Sequence, residues 1–337
     1  MSEQEQEKHR RGGEMVRLEG GRFVMGSEKA YAFPNEKPEH EVRISAFEID
    51  RYPVTNREYQ EFVEETGYVT VAERVIDWEE LQQQLPPGTP KPAEEALAPG
   101  ALVFRMTKGP VDLRRMDLWW IWVPGASWKH PEGPESHLEG RWEHPVVQVA
   151  WEDAVEYAKW AGKRLPTEAE WEYACRGGLK RKRFAWGEEE RPDGKIMLNR
   201  WNGNFPYYNS LEDGFATTSP AGSFPPNAYG LYDMGGNVWN WCHDVYHGAA
   251  YQKRAGKGCC CDPRGPRLGE NEIFLPGDPS PQTVPGTERR VMKGGSFLCH
   301  PAYCESYRPS ARRGTTPDTA TNHIGFRCVQ SLLSKNP

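Results

Sequence analysis

Apolar residues in this chain come in short bursts, and they seldom keep one period for long. Met15 to Met25 places two short apolar–polar stretches around Gly20-Gly21, which predicts strand, turn, strand. Val42 to Ile49 alternates over part of its length and predicts a further strand. Thr55-Asn56-Arg57-Glu58 is a capping box. It opens a helix whose apolar face carries Tyr59, Phe62 and Val63 and which stops at Gly67. Trp151 to Trp160 predicts a second helix, ending at Gly162. A second capping box, Thr167-Glu168-Ala169-Glu170, leads a third helix through Trp171, Tyr173 and Ala174 to Gly177-Gly178. From Ala185 to residue 241 helix signals almost vanish. Glycine, asparagine and aromatic clusters there predict loops and short strands wrapped around ions or waters. Ile324 to Val329 closes the pattern as a strand.

The pattern sets the organisation. Residues 1–14 are charged and expected to form a disordered tail, residues 15–330 a single domain, and residues 331–337 a second tail. No internal repeat and no boundary interrupts the domain. Two irregular stretches read as surface insertions: about 74–101, rich in Glu, Gln and Pro, and about 248–290. Leu118 to His130 carries four tryptophans and is expected to lie against the core or a cleft. The class is α+β with little regular secondary structure.

Composition agrees. There are 34 glycines and 29 prolines in 337 residues, enough punctuation to break most elements, and 13 tryptophans to fill a core that regular elements cannot. A net charge of -6 argues against general nucleic-acid binding. The longest apolar run, Leu118 to Val123, is too short to span a bilayer, and Met1 to Lys8 lacks the apolar stretch of a secretion signal. A soluble, cytoplasmic monomer is expected.

Eight cysteines then call for a reading suited to a reducing compartment, where paired thiols more often bind metal or do redox chemistry than form structural bridges. No CxxC…CxxC pattern is present, which argues against structural zinc. Cys299 and Cys304 lie behind Gly294-Gly295-Ser296 and on either side of Pro301. Residues five apart converge on neither a strand nor a helix, so the thiols meet only if Pro301 turns the chain. The two glycines let backbone approach something closely, such as a ligand. Arg308, Arg312 and Arg313 follow, and nearby cations favour thiolate. Two thiolates without histidine or carboxylate partners select Cu(I). Spacing alone also allows two buried thiols packed as small hydrophobes, or a disulfide. Cys259-Cys260-Cys261 is a secondary candidate for a metal clip, although adjacent residues rarely converge on one ion. His243 and His247 have HxxxH spacing, but Gly248 would break a helix, so two surface histidines are expected. Asn199-Arg200-Trp201, Glu212-Asp213-Gly214-Phe215 and Asp233 to Asn240 interleave Asp and Asn with glycine-freed carbonyls. That pattern suits Ca²⁺ or Asx-turns equally.

Several segments resemble a known family. Trp160-Ala161-Gly162-Lys163-Arg164-Leu165-Pro166-Thr167-Glu168-Ala169-Glu170-Trp171-Glu172-Tyr173 is a long match. Asn227 to Met234, Gly236-Asn237-Val238-Trp239 and Gly325-Phe326-Arg327-Cys328 are shorter ones. Together they are similar to the formylglycine-generating enzyme (sulfatase-modifying factor) superfamily over roughly residues 15–330. The superfamily also holds iron sulfoxide synthases, inactive paralogues and lectin-like binding modules, so membership alone does not give function.

The resemblance implies a single loop-rich domain related to C-type-lectin-like folds. It implies Cys299 and Cys304 as Cu(I) ligands and as catalytic residues with Ser296. Trp239, Tyr303, Arg312 and His323 would line the substrate cleft, with His323 where the family often has Asn. The implied reaction uses O₂ to convert a cysteine in a Cys-x-Pro-x-Arg segment of an unfolded sulfatase polypeptide to Cα-formylglycine. A carboxylate must then receive the substrate arginine, and Glu73 and Glu132 are candidates by region. One implied Ca²⁺ site uses Asn199 and Asp213 with the carbonyls of Arg200 and Phe215. A second uses Asp233 and Asn240 with the carbonyls of Gly236 and Val238. Asn240 stands where the family usually has Glu, which weakens that second site. Family disulfides would pair Cys175 with the position of Pro309 and Cys328 with that of Ala158, so each has lost one partner.

Overall fold

The computed structural model of the protein describes residues 13–83, 85–256, 260–267, 275–280 and 287–332. β1 (Met15–Leu18) and β2 (Gly21–Met25) flank the Gly20-Gly21 turn, yet they do not pair with each other. β1 runs antiparallel to β4 (Phe47–Asp50), whose other edge takes β14 (Val329–Ser331). β2 runs antiparallel to β3 (His40–Ile44), and β10 (Cys260–Cys261) joins β3 in parallel. The one strand expected over Val42 to Ile49 is therefore two strands in two sheets. The break falls at Ser45, whose N–H and hydroxyl both donate to the Asp262 carboxylate, each at 2.6 Å. That partner lies far along the chain, outside any local pattern.

The capping boxes form as their chemistry requires. Before α1 (Asn56–Thr66), Thr55 N–H donates to Glu58 at 2.8 Å while the Thr55 hydroxyl accepts Glu58 N–H, and Gly67 ends the helix at φ 66°. A single turn, α2 (Trp78–Gln82), lies in the first insertion. α3 (Trp151–Trp160) and α4 (Glu168–Arg176) follow, the latter capped by Thr167 and Glu170 and stopped by Gly177 at φ 55°. α5 (Ala250–Ala255) lies in the second insertion.

The first insertion does not end as a free loop. It runs into β5 (Gly100–Phe104), which pairs antiparallel with β6 (Trp120–Pro124), and Leu102 bridges to Thr321. A small hairpin, β7 (Gly203–Asn204) and β8 (Tyr208–Asn209), interrupts the loops that follow α4. The third sheet has the order β12 (Arg313–Thr315), β11 (Arg290–Lys293), β9 (Trp239–Val245), β13 (Ile324–Gly325). His243 lies on β9 and is exposed, whereas His247, expected at the surface, is buried.

Successive residues of β9 face opposite sides of the sheet, and a core lies on each. Trp239, Trp241 and Met292 join Tyr59, Phe62, Trp128, Tyr157 and Phe326 on one side. Cys242, Tyr246 and Val291 join Trp171 and Tyr251 on the other. Each large aromatic buried this way stabilises the fold by about 1.5–3 kcal/mol. The second core also holds ions: Arg312 on Glu168 at 2.5 Å, Lys293 on Glu172 at 3.1 Å and Arg176 on Glu172 at 2.7 Å.

Cys175 and Cys328 are buried free thiols. The Cys175 sulfur donates to the Met234 carbonyl at 3.4 Å. Cys259 lies outside the described residues, and Cys261 is exposed and free. Most of the expected N-terminal tail also lies outside them. Gly13 and Glu14 are held, by Glu58 and Arg51 respectively. Among the described residues no helix is long and apolar enough to cross a membrane.

Candidate active site

β11 delivers the chain to Gly294 and Gly295, at φ 92° and 66°. A Cβ on Gly295 would lie 3.0 Å from the Cys299 sulfur and 2.9 Å from the Tyr307 nitrogen. One on Gly294 would lie 3.0 Å from the Trp171 ring. The glycines therefore let the backbone close on Cys299, Tyr307 and Trp171. Next, the Ser296 carbonyl accepts Cys299 N–H at 2.9 Å, and the Ser296 hydroxyl accepts Leu298 N–H at 3.3 Å. Beyond Cys299 the His300 carbonyl accepts Tyr303 N–H at 2.9 Å and Cys304 N–H at 2.7 Å, closing a turn over Pro301. The turn brings the Cys299 and Cys304 sulfurs to 2.7 Å, and both are free thiols.

Burial alone would push both thiols up. At Cys304, the hydrogen bond from Cys299, the Arg313 charge and the Ser306 hydroxyl and N–H together outweigh it and bring the thiol below its ordinary range. Cys299 moves the other way, driven by burial and by its bond to Cys304. The pair therefore gives up its first proton readily, from Cys304, and the proton that remains is held on Cys299 in the bond between the two sulfurs.

A cavity of about 540 Å³ opens over this pair. Trp239, Met292 and Ile324 come from the third sheet, Leu102, Trp119 and Trp120 from the β5–β6 region, and Phe205 from the loop after β7. Ser296, Tyr303 and His323 line it too, as does Phe33 near the start of the domain. The Tyr303 ring stacks on Phe205 at 4.6 Å and meets the edge of Trp119 at 5.6 Å. The His323 ring faces Trp120 at 4.7 Å, and its Nδ1 lies 2.6 Å from the Thr321 hydroxyl. Burial lowers the His323 imidazole to about 3, so it stays neutral. Pro279 and Ser280, from the second insertion, complete the wall.

The arginine is the correction. Arg312 does not reach the cavity. It is buried against the rings of Tyr246 and Tyr251, each at 4.6 Å, and is held by Glu168. Arg308 is likewise spent on Glu36, at 2.6 Å. Arg313, the next residue on an extended segment, points the opposite way and lines the cavity. The two carboxylates suggested for a substrate arginine are also engaged elsewhere. Glu73 caps Thr70 at 2.7 and 3.0 Å, and Glu132 holds Arg141 at 2.8 and 2.9 Å. Neither lines the cavity. Phe33, Met116, Phe205 and the Pro279-Ser280 wall had no local signal, whereas Arg313 was among the cations expected beside the thiols and the tryptophan run at 119–120 did announce a cleft.

Among the described residues no three or more His, Cys, Asp and Glu side chains gather as a metal group. The dithiol and the carbonyl- and amide-rich loops are the candidate ion sites among those residues. The first of those loops fits Ca²⁺. The Asn199 side-chain oxygen is buried without a partner, while its nitrogen donates to the Thr217 carbonyl at 2.8 Å. Burial raises the buried Asp213 carboxyl, which accepts Arg200 N–H at 3.0 Å. The second loop does not fit. The Asn240 oxygen accepts Trp171 Nε1 at 3.2 Å and Arg327 Nε at 2.8 Å, and its nitrogen donates to the Val238 carbonyl at 3.0 Å. Arg327 also donates to the Asp233 carbonyl at 3.1 Å. The Arg327 guanidinium thus holds the Asn240 oxygen and the Asp233 carbonyl, at two of the four residues expected around the second Ca²⁺.

Residues 1–332 match the model of the sulfatase-modifying factor enzyme 1-like domain. The chain belongs to the sulfatase-modifying factor family. Among its relatives, the formylglycine-generating enzyme of Mycobacterium tuberculosis is 48% identical over 95% of this chain and 99% of that protein. The Bos taurus formylglycine-generating enzyme is 40% identical over 95% of this chain and 75% of its own length. A mouse family member named inactive Cα-formylglycine-generating enzyme 2 is 36% identical over 94% and 85%. In fold the chain is similar to PvdO from Pseudomonas aeruginosa, with a TM-score of 0.58 over 95% of each chain at 24% identity. The loop-rich α+β architecture is thus that of the sulfatase-modifying factor family.

Proposed function

We propose that the chain oxidises the cysteine of a Cys-x-Pro-x-Arg segment in an unfolded sulfatase polypeptide to Cα-formylglycine, with copper and O₂. The observation that carries this reading is the free Cys299–Cys304 pair, 2.7 Å apart at the base of an open, largely apolar cavity. It stands in a chain 48% identical, end to end, to a formylglycine-generating enzyme. The donor set fits Cu(I): two soft sulfurs, with no carboxylate lining the cavity among the described residues. Cys299 and Cys304 would hold the ion, and bound Cu(I) would supply the one-electron chemistry with O₂ that side chains lack.

The chain's own residues do the rest. The turn at Pro301 fixes the two sulfurs before substrate arrives, so little ordering is left for binding. Trp119, Trp120, Phe205 and Trp239 exclude water from the space above them. Tyr303 is locked between Phe205 and Trp119 and presents a rigid side to an incoming cysteine. Neutral His323, tied through Nδ1 to Thr321, leaves Nε2 to accept or donate one hydrogen bond to a peptide in the cavity. Asn199, Asp213 and the carbonyls of Arg200 and Phe215 would hold a structural Ca²⁺.

The test is to supply the copper-loaded protein with a Cys-x-Pro-x-Arg peptide and O₂ and to follow the mass loss of thiol-to-aldehyde conversion. Conversion supports the reading. Tight copper binding with no conversion would point to a different thiol substrate.

Calcium gives a separate prediction. Raising Ca²⁺ to about a hundred times its Kd should stabilise the wild type by about 2.7 kcal/mol, seen as a rise in Tm by scanning fluorimetry. Asp213→Ala should show no such rise, and titration calorimetry should find one site, not two. A wild-type Tm indifferent to Ca²⁺ and EGTA would sink the calcium assignment.

A further inference from the structure

Two thiolates and one Cu(I) carry a net charge of minus one. In a cavity walled largely by aromatic and aliphatic side chains, an uncompensated charge is costly. Among the described residues two cations line that cavity, Arg114 and Arg313. Arg114 is spent: it is largely exposed and binds Asp112 at 2.7 Å. Arg313 is half-buried, and among the described residues no carboxylate pairs with it.

Instead, neutral groups hold Arg313 in place. Its Nε donates to the Ser306 hydroxyl at 3.3 Å, its Nη1 donates to the Pro279 carbonyl, and its face lies over the Phe33 ring at 5.3 Å. Ser306 is fully buried two residues beyond Cys304, and it and the Arg313 charge both act to lower that thiol. The guanidinium and the hydroxyl it holds therefore lie on the Cys304 side of the pair. The second insertion supports the arrangement. Asp278 accepts the Tyr246 hydroxyl at 2.6 Å and Ser280 N–H at 2.8 Å, and the Ser280 hydroxyl accepts Gly314 N–H at 3.0 Å. Those bonds fix the Pro279 carbonyl on which Arg313 rests.

We propose that Arg313 is a positioning residue that supplies the counter-charge of a Cu(I)–dithiolate centre through Ser306, and that the inserted segment 275–280 holds it there. This rests on the copper reading. It assigns a role to an arginine and an insertion that the proposed reaction does not otherwise use.

The experiment is anaerobic competition of a Cu(I) chelator against the reduced full-length protein, with Tm of the copper-free protein measured alongside. Arg313→Met should weaken Cu(I) binding about 10–100-fold, the usual cost of losing an outer-shell partner. Arg313→Lys keeps the charge and should recover most of that loss. Ser306→Ala leaves the arginine and the insertion in place and should weaken binding several-fold. A purely structural clasp would instead lower Tm, leave affinity unchanged and show no rescue by lysine, and that result would overturn the proposal. Should Arg313→Met fail to fold, Ser306→Ala decides: wild-type affinity there overturns the relay. A wild type that binds Cu(I) no better than Cys299→Ser would overturn the copper reading and this proposal together. Tight wild-type binding matched by Arg313→Met would overturn only the latter.

Discussion

Cys304→Ser is expected to lower peptide conversion by well over about a hundredfold, since loss of an outer-shell partner alone costs about 10–100-fold in metal sites. Cys304 is the sulfur that the Arg313 charge and nearby Ser306 favour as thiolate against burial. A serine hydroxyl is hard, stays protonated at neutral pH and is a poor Cu(I) ligand. The substitution is nearly isosteric, so the copper-free Tm should change little. Cys299→Ser should be equally inactive but less innocent, because the Cys299 sulfur accepts Ser296 N–H at 3.4 Å and packs on the Gly295 backbone. Product mass spectrometry and Cu(I) competition on the same samples give the check. Retained conversion in Cys304→Ser would remove the dithiol from the mechanism.

Arg312→Met should destabilise the fold by about 3–5 kcal/mol, the cost of stranding one member of a buried ion pair. The stranded member is Glu168. Burial acts to raise its carboxyl, but Arg312 and Lys293 overcome that and hold it down to about 2. A carboxyl lowered on folding contributes stability that is present above its ordinary value of 4.5 and is lost as pH falls toward about 2. In the variant Glu168 should titrate higher, so the gap between wild type and variant should narrow as pH falls from 7 to 4. Urea unfolding at those two pH values measures this, and Glu168→Gln in the Arg312→Met background should restore part of the loss. Unchanged stability with a raised KM would show instead that Arg312 contacts substrate.

Arg312 and Arg313 also show where reading the chain reaches its limit. Side chains alternate across an extended segment, so adjacent arginines must point to opposite sides, but which side holds the thiols is set by how β12 joins β11. Nothing local carries that choice. The capping boxes at Thr55 and Thr167 were legible because their chemistry lies within four residues. The thiol turn over Pro301 was legible for the same reason. The Gly294-Gly295 close approach was foreseen, but not its object: the glycines admit Cys299 and Tyr307. The break at Ser45 depends on Asp262, and the cavity wall at Pro279 on an insertion whose pattern announces only irregularity. Asn240 could be read as a weakened calcium ligand. That Arg327 would stand in the cation's place could not, since the two are brought together only by the pairing of β13 with β9.

The walls of the cavity come from Phe33, from the β5–β6 hairpin, from Phe205, from Pro279 and finally from His323 and Ile324. A chain emerging vectorially from the ribosome cannot assemble such a chamber piecemeal. Its reactive thiols are made before the residues near 323 that finish the enclosure. Until those arrive the dithiol has no closed surroundings, so a nascent fragment would lack the chamber in which the proposed reaction takes place.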